Sequence, residues 1–536
     1  MAPSNALDAR FATTLAHGLD VLETFAQGPP LLSNKLLAER TGLSKATVTR
    51  LTTTLATRGL VENDALLGGH RLGTTALTLG YPLLSGLGLR RVARLPMKKL
   101  ADALGGTISL GMRERSRMVY VETLSSSSPV SFRPDLGAPV PMLQTAMGRA
   151  WLAAANGDER ELALDALQRI APAHFRQWAP SLRKAAAQLA RQGFCISQGD
   201  WLPDIHAVAI PLRVSLHGER LVLNCCMPTQ RRTPGRLESE IGPRLMELAA
   251  QIERDWASEV QRTPSTPPAW LVGAPGKGSR PPDPEDRSFA RTLARGVDLL
   301  LCFSPTDPAL GNRELARRLD LGPTTVVRLT HTLCERGYLR RDANDGKYRL
   351  GAATLAAAYP ILSGLRIRRL ARPAMLALAQ RVQGAVSLGL RHQSGMVYVE
   401  TAWRTDERLL PPDTGAPMPM LLTAMGRAWL SRADRTKQRE VLNRIRLHDP
   451  QGWQRHQQVA LEEAALCRRR GWCSSRDFRS EIVAVAVPFR QPVDSVQYVM
   501  NCGVLARGVA SRRQLAGIGE ALQETVREVE ALAAQG

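Results

Sequence analysis

Ala38-Glu39-Arg40-Thr41-Gly42-Leu43-Ser44-Lys45-Ala46-Thr47-Val48-Thr49-Arg50-Leu51 is the stretch from which the fold can be read. A small residue at Ala38 lets two helices cross closely, and Gly42 permits the turn between them. Val48, Leu51 and Leu55 recur at helical spacing and bury one face of the second helix, which Ser44 is placed to cap. That spacing is a helix-turn-helix. It leaves Ser44, Lys45, Thr47, Thr49 and Arg50 on the first turns, where such motifs meet base edges and phosphates. Upstream, Leu15, Leu19, Leu22 and Phe25 mark an amphipathic helix. Downstream, Leu60-Val61-Glu62 and His70-Arg71-Leu72 flank Gly68-Gly69 and read as a β-hairpin wing carrying Arg71.

The whole plan then recurs. Phe11-Ala-Thr-Thr-Leu-Ala-His-Gly-Leu-Asp returns at Phe289, Met118-Val-Tyr-Val-Glu-Thr at Met396, and Ala146-Met-Gly-Arg-Ala-Trp-Leu at Ala424. The offset is constant to Gly193/Gly471 and one residue shorter by Pro211/Pro488. Two copies of so long a period mean a duplicated multi-domain unit, not a solenoid. The second motif uses Ala316, Val326 and Leu329, with Thr324, Thr325, Arg328 and His331 outward. Asp320 replaces Gly42, and Pro323 takes the first helical position. Arg340, Arg341, Lys347 and Arg349 make its wing the more basic of the two.

The domains expected are a winged helix-turn-helix over 1–73, a connector helix over 74–90, and a sensor domain over 91–262. A Pro/Gly/Ser-rich linker follows over 263–287. The second copy gives a winged helix over 288–351, a connector over 352–368 and a sensor over 369–536. Each sensor mixes helices and strands: helices near Leu95–Leu104, Ala146–Ala154, Leu182–Gln192 and Arg236–Glu259, and strands at Thr107–Met112, Met118–Glu122, Ala207–Leu212 and Arg220–Cys226. The fold class is thus α+β and multi-domain.

The chain has 536 residues and a formal net charge of +22, which suits a polyanionic partner. The eight cysteines show no metal or disulfide spacing. No secretory leader or membrane-length apolar run is evident, so a cytoplasmic protein is expected. An enzymatic reading would rest on Cys225-Cys226 with His206, but the second copy has Cys502-Gly503 and Val483 there, so no dyad recurs. Catalytic, metal and cofactor sites are not expected. The alternative kept open is a ligand-sensing scaffold whose winged helices have lost DNA binding.

The order of motifs resembles the IclR family of bacterial regulators. The matching stretches are Ala38–Leu51, His70-Arg-Leu-Gly, Gly137–Ala153 with its Thr-Ala-Met-Gly-Arg-Ala, and Ala207-Val-Ala-Ile-Pro. In the second copy they are Leu315–Leu329, Tyr348–Gly351, Gly415–Leu430 and Ala484–Pro488. The resemblance implies winged helices that pair as a dimer, a GAF-like α/β effector-binding domain, double-stranded operator DNA as partner, and a small-molecule effector such as an organic or aromatic acid. By position it implies effector contacts at Gly137, Ala138, Asp200, Ile205, Ala207, Asn224 and Cys226. In the second copy these are Gly415, Ala416, Asp477, Ile482, Ala484, Asn501 and Gly503. Two positions depart from the family: Leu143 and Leu421 stand where it often has His, and Asp200 and Asp477 are single acids where it usually has a pair.

If the two winged helices pair within one chain, their recognition helices lie about 34 Å apart, one turn of DNA. Those helices differ in sequence, so the operator is expected to be an imperfect palindrome. Hydroxyl-radical footprinting checks this, and a strictly symmetric footprint would count against it.

Overall fold

Residues 10–64, 68–126, 132–229, 235–261, 289–403, 411–509 and 511–535 are described in the computed structural model. The linker read over 263–287 lies outside them. The first repeat opens with α1 (Thr13–Thr24), followed by α2 (Asn34–Thr41) and α3 (Lys45–Thr57). The Ser44 hydroxyl accepts from the Thr47 N–H at 3.2 Å, the cap expected for a recognition helix. Between α2 and α3, Gly42 sits at φ +70° and its N–H reaches the Ala38 carbonyl. The wing is the antiparallel pair β1 (Val61–Asp64) and β2 (Gly69–Leu72).

The connector differs from the single helix expected over 74–90. It is two short helices, α4 (Thr74–Leu79) and α5 (Tyr81–Gly86), and α6 (Leu89–Leu104) begins before the expected boundary. Gly80 marks the break. A Cβ there would lie 2.6 Å from Leu355 Cδ2, so the second connector crosses the first at this point, and a side chain on residue 80 would displace that leucine.

The first sensor continues with β3 (Thr107–Glu114), β4 (Arg117–Ser125), β5 (Pro139–Pro141), α7 (Ala146–Ala154), α8 (Gly157–Ile170), α9 (Pro172–Gln192), β6 (Cys195–Gln198), β7 (Ile205–Leu216) and β8 (Glu219–Pro228). A single π-helical turn, Leu237–Ile241, leads into α10 (Gly242–Gln261). The strands form one antiparallel sheet in the order β5-β4-β3-β8-β7-β6. Helices α7 and α9 cover one face of it, and α6 and α10 pair on the other. The largely polar α8 and the short strands β5 and β6 are not among the expected elements, because polarity or brevity hides their periodicity.

The second repeat follows the same plan. Its winged helix is α11 (Arg291–Leu300), α12 (Asn312–Leu319), α13 (Pro323–Glu335), β9 (Leu339–Arg341) and β10 (Tyr348–Leu350). Here the connector is one helix, α14 (Ala353–Gly364), with Ala358 where the first copy has Gly80. The sensor comprises α15 (Arg366–Val382), β11 (Ala385–His392), β12 (Gly395–Trp403), β13 (Pro417–Pro419), α16 (Ala424–Arg432), α17 (Arg435–His448), α18 (Pro450–Arg470), β14 (Cys473–Ser475), β15 (Ile482–Pro488), β16 (Tyr498–Leu505) and α19 (Arg512–Ala534). Its sheet order is β13-β12-β11-β16-β15-β14. The compact units do not coincide with the repeats. They are Met1–Ile361 and Leu362–Gly536, so the second winged helix belongs with the whole first repeat. Among the described residues no helix is long and apolar enough to cross a membrane.

Asp320 adopts the left-handed turn at φ +52° that Gly42 makes freely. A side chain there costs on the order of 1 kcal/mol against glycine. Asp320→Gly should therefore raise the thermal midpoint, and Gly42→Asp should lower it. Calorimetry on the two variants checks the opposite signs.

Candidate nucleic-acid interface and effector pocket

On α3, Ser44, Lys45, Thr49 and Arg50 are exposed and Thr47 is half-buried. The Ser44 and Thr47 hydroxyls face each other at 3.0 Å, and Thr49 donates to the Lys45 carbonyl, so the hydroxyls are locally ordered. On α13, Thr324 and Arg328 are exposed, while Thr325 and His331 are half-buried. Val327, exposed in place of Thr49, makes this helix the more apolar reader.

The wings correct the charge read from sequence. Arg71 pairs with Asp64 across the first wing. In the second, Arg349 is held by Asp342 at 3.0 Å and Asp345 at 3.4 Å, and Arg340 pairs with Glu219 of the first sensor at 3.2 Å. Acids of the same wing neutralise Arg349 and a distant acid, Glu219, neutralises Arg340, leaving Lys347 and Arg341 as the exposed ones.

The two winged helices pack on each other through matching contacts. A Cβ on Gly18 would lie 2.3 Å from Leu293, and one on its counterpart Gly296 2.4 Å from Leu15. The Ala12 N–H donates to Thr332 Oγ1 and the Ala290 N–H to Thr54 Oγ1, each at 2.8 Å. Arg58 makes a bidentate pair with Asp298, its shortest contact 2.6 Å, and Arg336 pairs with Asp20 at 2.7 Å. Each of these contacts has its mirror, which is the signature of an isologous interface.

The first sensor touches both readers. Arg115, at the β3–β4 turn, pairs with Glu23 of α1 at 3.0 Å. At the β7–β8 turn, Glu219 meets Arg340 and the His217 ring lies 3.5 Å from Asp342. Burial, with Arg349 and Arg340 nearby, holds His217 below the ordinary imidazole range. Burial likewise raises the Glu219 carboxyl despite the adjacent Arg340. Such a desolvated pair fixes orientation more than it stabilises.

Within the sensor, the Thr-Ala-Met-Gly-Arg stretch is a device for seating α7. Thr145 caps the helix through the Gly148 N–H, and a Cβ on Gly148 would meet the Met142 backbone at 2.3 Å. Arg149 then spans the Leu143 carbonyl at 2.7 Å and Asp200 at 2.6 Å. The second copy repeats this with Thr423, Gly426, Arg427 and Asp477. Asp200 and Asp477 are the counter-ions of these buried arginines. Gly137 and Gly415 turn at φ +80° and +84° and donate to the Tyr120 and Tyr398 carbonyls.

Below α7 the sheet presents two rows of side chains. One runs Ser125, Thr107, Cys226, Ala207 and Ser197; the other runs Thr123, Ser109, Asn224, Ala209 and Cys195. Ala138, Ala207 and Cys226 join one cluster with Tyr120 and Leu143, and Ile205, Phe132, Trp201 and Tyr359 pack against it. Five of these positions, Thr107, Ser109, Thr123, Ser125 and Ser197, were missed from sequence, because strand register alone reveals them. Ser109 Oγ and Thr123 Oγ1 are buried with no hydrogen-bond partner. In the second sensor the inner row is again Thr401, Ser387, Asn501, Ala486 and Cys473, but Ser387 and Thr401 bond each other at 3.1 Å. Its other row is Trp403, Ala385, Gly503, Ala484 and Ser475, with less polarity than the first. Burial pushes the Cys226 thiol up to about 11, so it is a protonated lining group and no nucleophile.

Two winged helices, each joined to a sensor whose sheet carries a row of Thr, Ser and Asn side chains, define a ligand-responsive DNA-binding regulator. The description "IclR helix-turn-helix domain" matches residues 14–65 and 292–343, and "Bacterial transcriptional regulator IclR C-terminal" matches 82–254 and 360–531. The chain belongs to the IclR family, as a transcriptional regulator with two complete units in tandem. It is 30% identical over 246 residues to the HTH-type transcriptional regulator TsaQ1/TsaQ2 of Comamonas testosteroni, spanning 45% of this chain and 87% of that one. To the acetate operon repressor of Salmonella typhimurium it is 22% identical, spanning 45% and 88%. An IclR family regulator of Brucella abortus, solved by crystallography, aligns at 36% identity over 48% of this chain and 96% of its own, with a TM-score of 0.44. Each of these matches spans a little under half of this chain.

Breaking both bidentate pairs between the winged helices leaves two partly buried acids, Asp298 and Asp20, uncompensated. Arg58→Ala with Arg336→Ala should cost on the order of 3 kcal/mol or more in stability of the paired winged helices. Hydrogen exchange in α1 and α11 checks this; unchanged protection would show that the apolar contacts alone hold the pair.

Proposed function

We propose that one chain supplies both half-site readers of a single operator, as an intramolecular pseudo-dimer, and acts in the cytoplasm. The observation that carries this is the mirrored pairing of Arg58 with Asp298 and Arg336 with Asp20, which joins the two winged helices as the halves of a dimer are joined. Ser44, Lys45, Thr47, Thr49, Arg50 and Arg71 contact one half-site; Thr324, Thr325, Arg328, His331, Lys347 and Arg349 serve the other. Lys347 meets phosphate directly, while Arg349 braces its wing through Asp342.

The effector is a small organic acid. Unpartnered hydroxyls at Ser109 and Thr123, beside Asn224, supply donors, and the nearby Asp200 is already neutralised by Arg149. Gly137, Ala138, Ile205, Ala207 and Cys226 shape the recess, and their counterparts Gly415, Ala416, Ile482, Ala484, Asn501 and Gly503 shape the second. Through Arg115 and Glu219 the first sensor bears on both readers. A ligand that prefers one arrangement of these contacts shifts their population by its differential affinity.

The test is a mobility-shift titration with the full chain. Arg50→Ala and Arg328→Ala should each weaken operator binding by about 1–3 kcal/mol. Ser109→Ala with Asn224→Ala should leave basal operator affinity intact and lower the response to benzoate or a related acid at least tenfold. Stoichiometry of two chains per operator would sink the pseudo-dimer.

A further inference from the structure

The second sensor carries a cavity of about 580 Å³ away from its effector recess, between the ends of α16 and α18, the end of β15 and α19. Six arginines line it: Arg432, Arg468, Arg469, Arg470, Arg490 and Arg527. The one acid in the lining, Glu530, accepts from the Arg490 backbone N–H. Arg470 pairs with Glu463 at 2.9 Å and stacks on Trp472, and Arg432 donates to the Arg490 carbonyl at 2.9 Å. Among the described residues, no carboxylate lies within ion-pair distance of Arg468, Arg469, Arg490 or Arg527.

The first repeat shows that this is no general property of the fold. Its residues at the matching positions are Ala154, Ala190, Arg191, Gln192, Arg213 and Ala250. Four arginines have thus been gained, or lost from the other copy, at positions apart in sequence that meet in one hollow. Cations gathered within a Debye length of about 8 Å repel one another unless an anion joins them. Guanidinium groups suit that role, because each can grip two oxygens of a phosphate at once.

We propose that this cavity binds a small phosphorylated anion bearing two or more phosphates, and that the first sensor has no equivalent site. Inorganic tripolyphosphate is the probe, titrated by calorimetry into the full chain and into two variants. Arg468→Ala with Arg527→Ala restores the alanines that the first repeat already carries, so folding is expected to survive; circular dichroism verifies that. The expected result is one site per chain, weakened at least tenfold in this variant and unchanged in Lys45→Ala with Arg50→Ala. Unchanged affinity in the first variant, or an equal loss in the second, would overturn the proposal in favour of diffuse attraction to a basic protein. Citrate binding as tightly as tripolyphosphate would overturn the phosphate class. Duplex DNA weakened as much by Arg468→Ala/Arg527→Ala as by Lys45→Ala/Arg50→Ala would make the surface a nucleic-acid contact instead.

Discussion

The crossing of α1 on α11 is the constraint on which the first compact unit depends. Gly18 and Gly296 bring each helix close enough to receive the other's leucine, Leu293 or Leu15. At that distance Arg58 and Arg336 reach the acids of the opposite winged helix, and the Ala12 and Ala290 amides find threonine hydroxyls at 2.8 Å. The glycines set the approach, dispersion and burial hold it, and the ion pairs fix its rotation. Because the second winged helix is held there, its wing comes within reach of Glu219, and its connector within reach of Gly80 and Gly137.

Much of this was legible in the sequence where the signal is local. The turn at Gly42, the cap at Ser44 and the repeat itself need only neighbours in the chain. Asp320 was recognisable as the harder version of the same turn, and it takes the left-handed conformation. What escaped was tertiary. Arg349 and Arg340 look like free wing cations until Asp342 and Glu219 are seen beside them. Nothing near Asp200 in the chain announces that Arg149 is its partner. Ser109 and Thr123 are ordinary strand residues until the register places them opposite one another.

The two copies have diverged unevenly. The inner row of each sensor sheet keeps Thr, Ser, Asn, Ala and Cys in the same order, while the outer row trades Thr107, Ser125 and Cys226 for Ala385, Trp403 and Gly503. Backbone devices are retained in both: the glycine under α7 and α16, the buried arginine beside it, and the capping threonine. Surface charge also differs, as the arginine-lined hollow of the second sensor shows. Part of the net charge of +22, read from composition as a general attraction to polyanions, is thus concentrated at one place.

Carrying both halves of a mirrored interface on one polypeptide changes the law of mass action for this regulator. Two separate subunits must find each other, so their assembly falls off with the square of their concentration. Joined halves meet at an effective concentration set by the chain, in the millimolar range for short flexible tethers. On the proposed reading that one chain serves one operator, a handful of molecules in a cell remains fully assembled, and occupancy of the target gene rises in simple proportion to copy number. Each half is also free to drift in sequence, since a change in one reader is no longer forced upon the other.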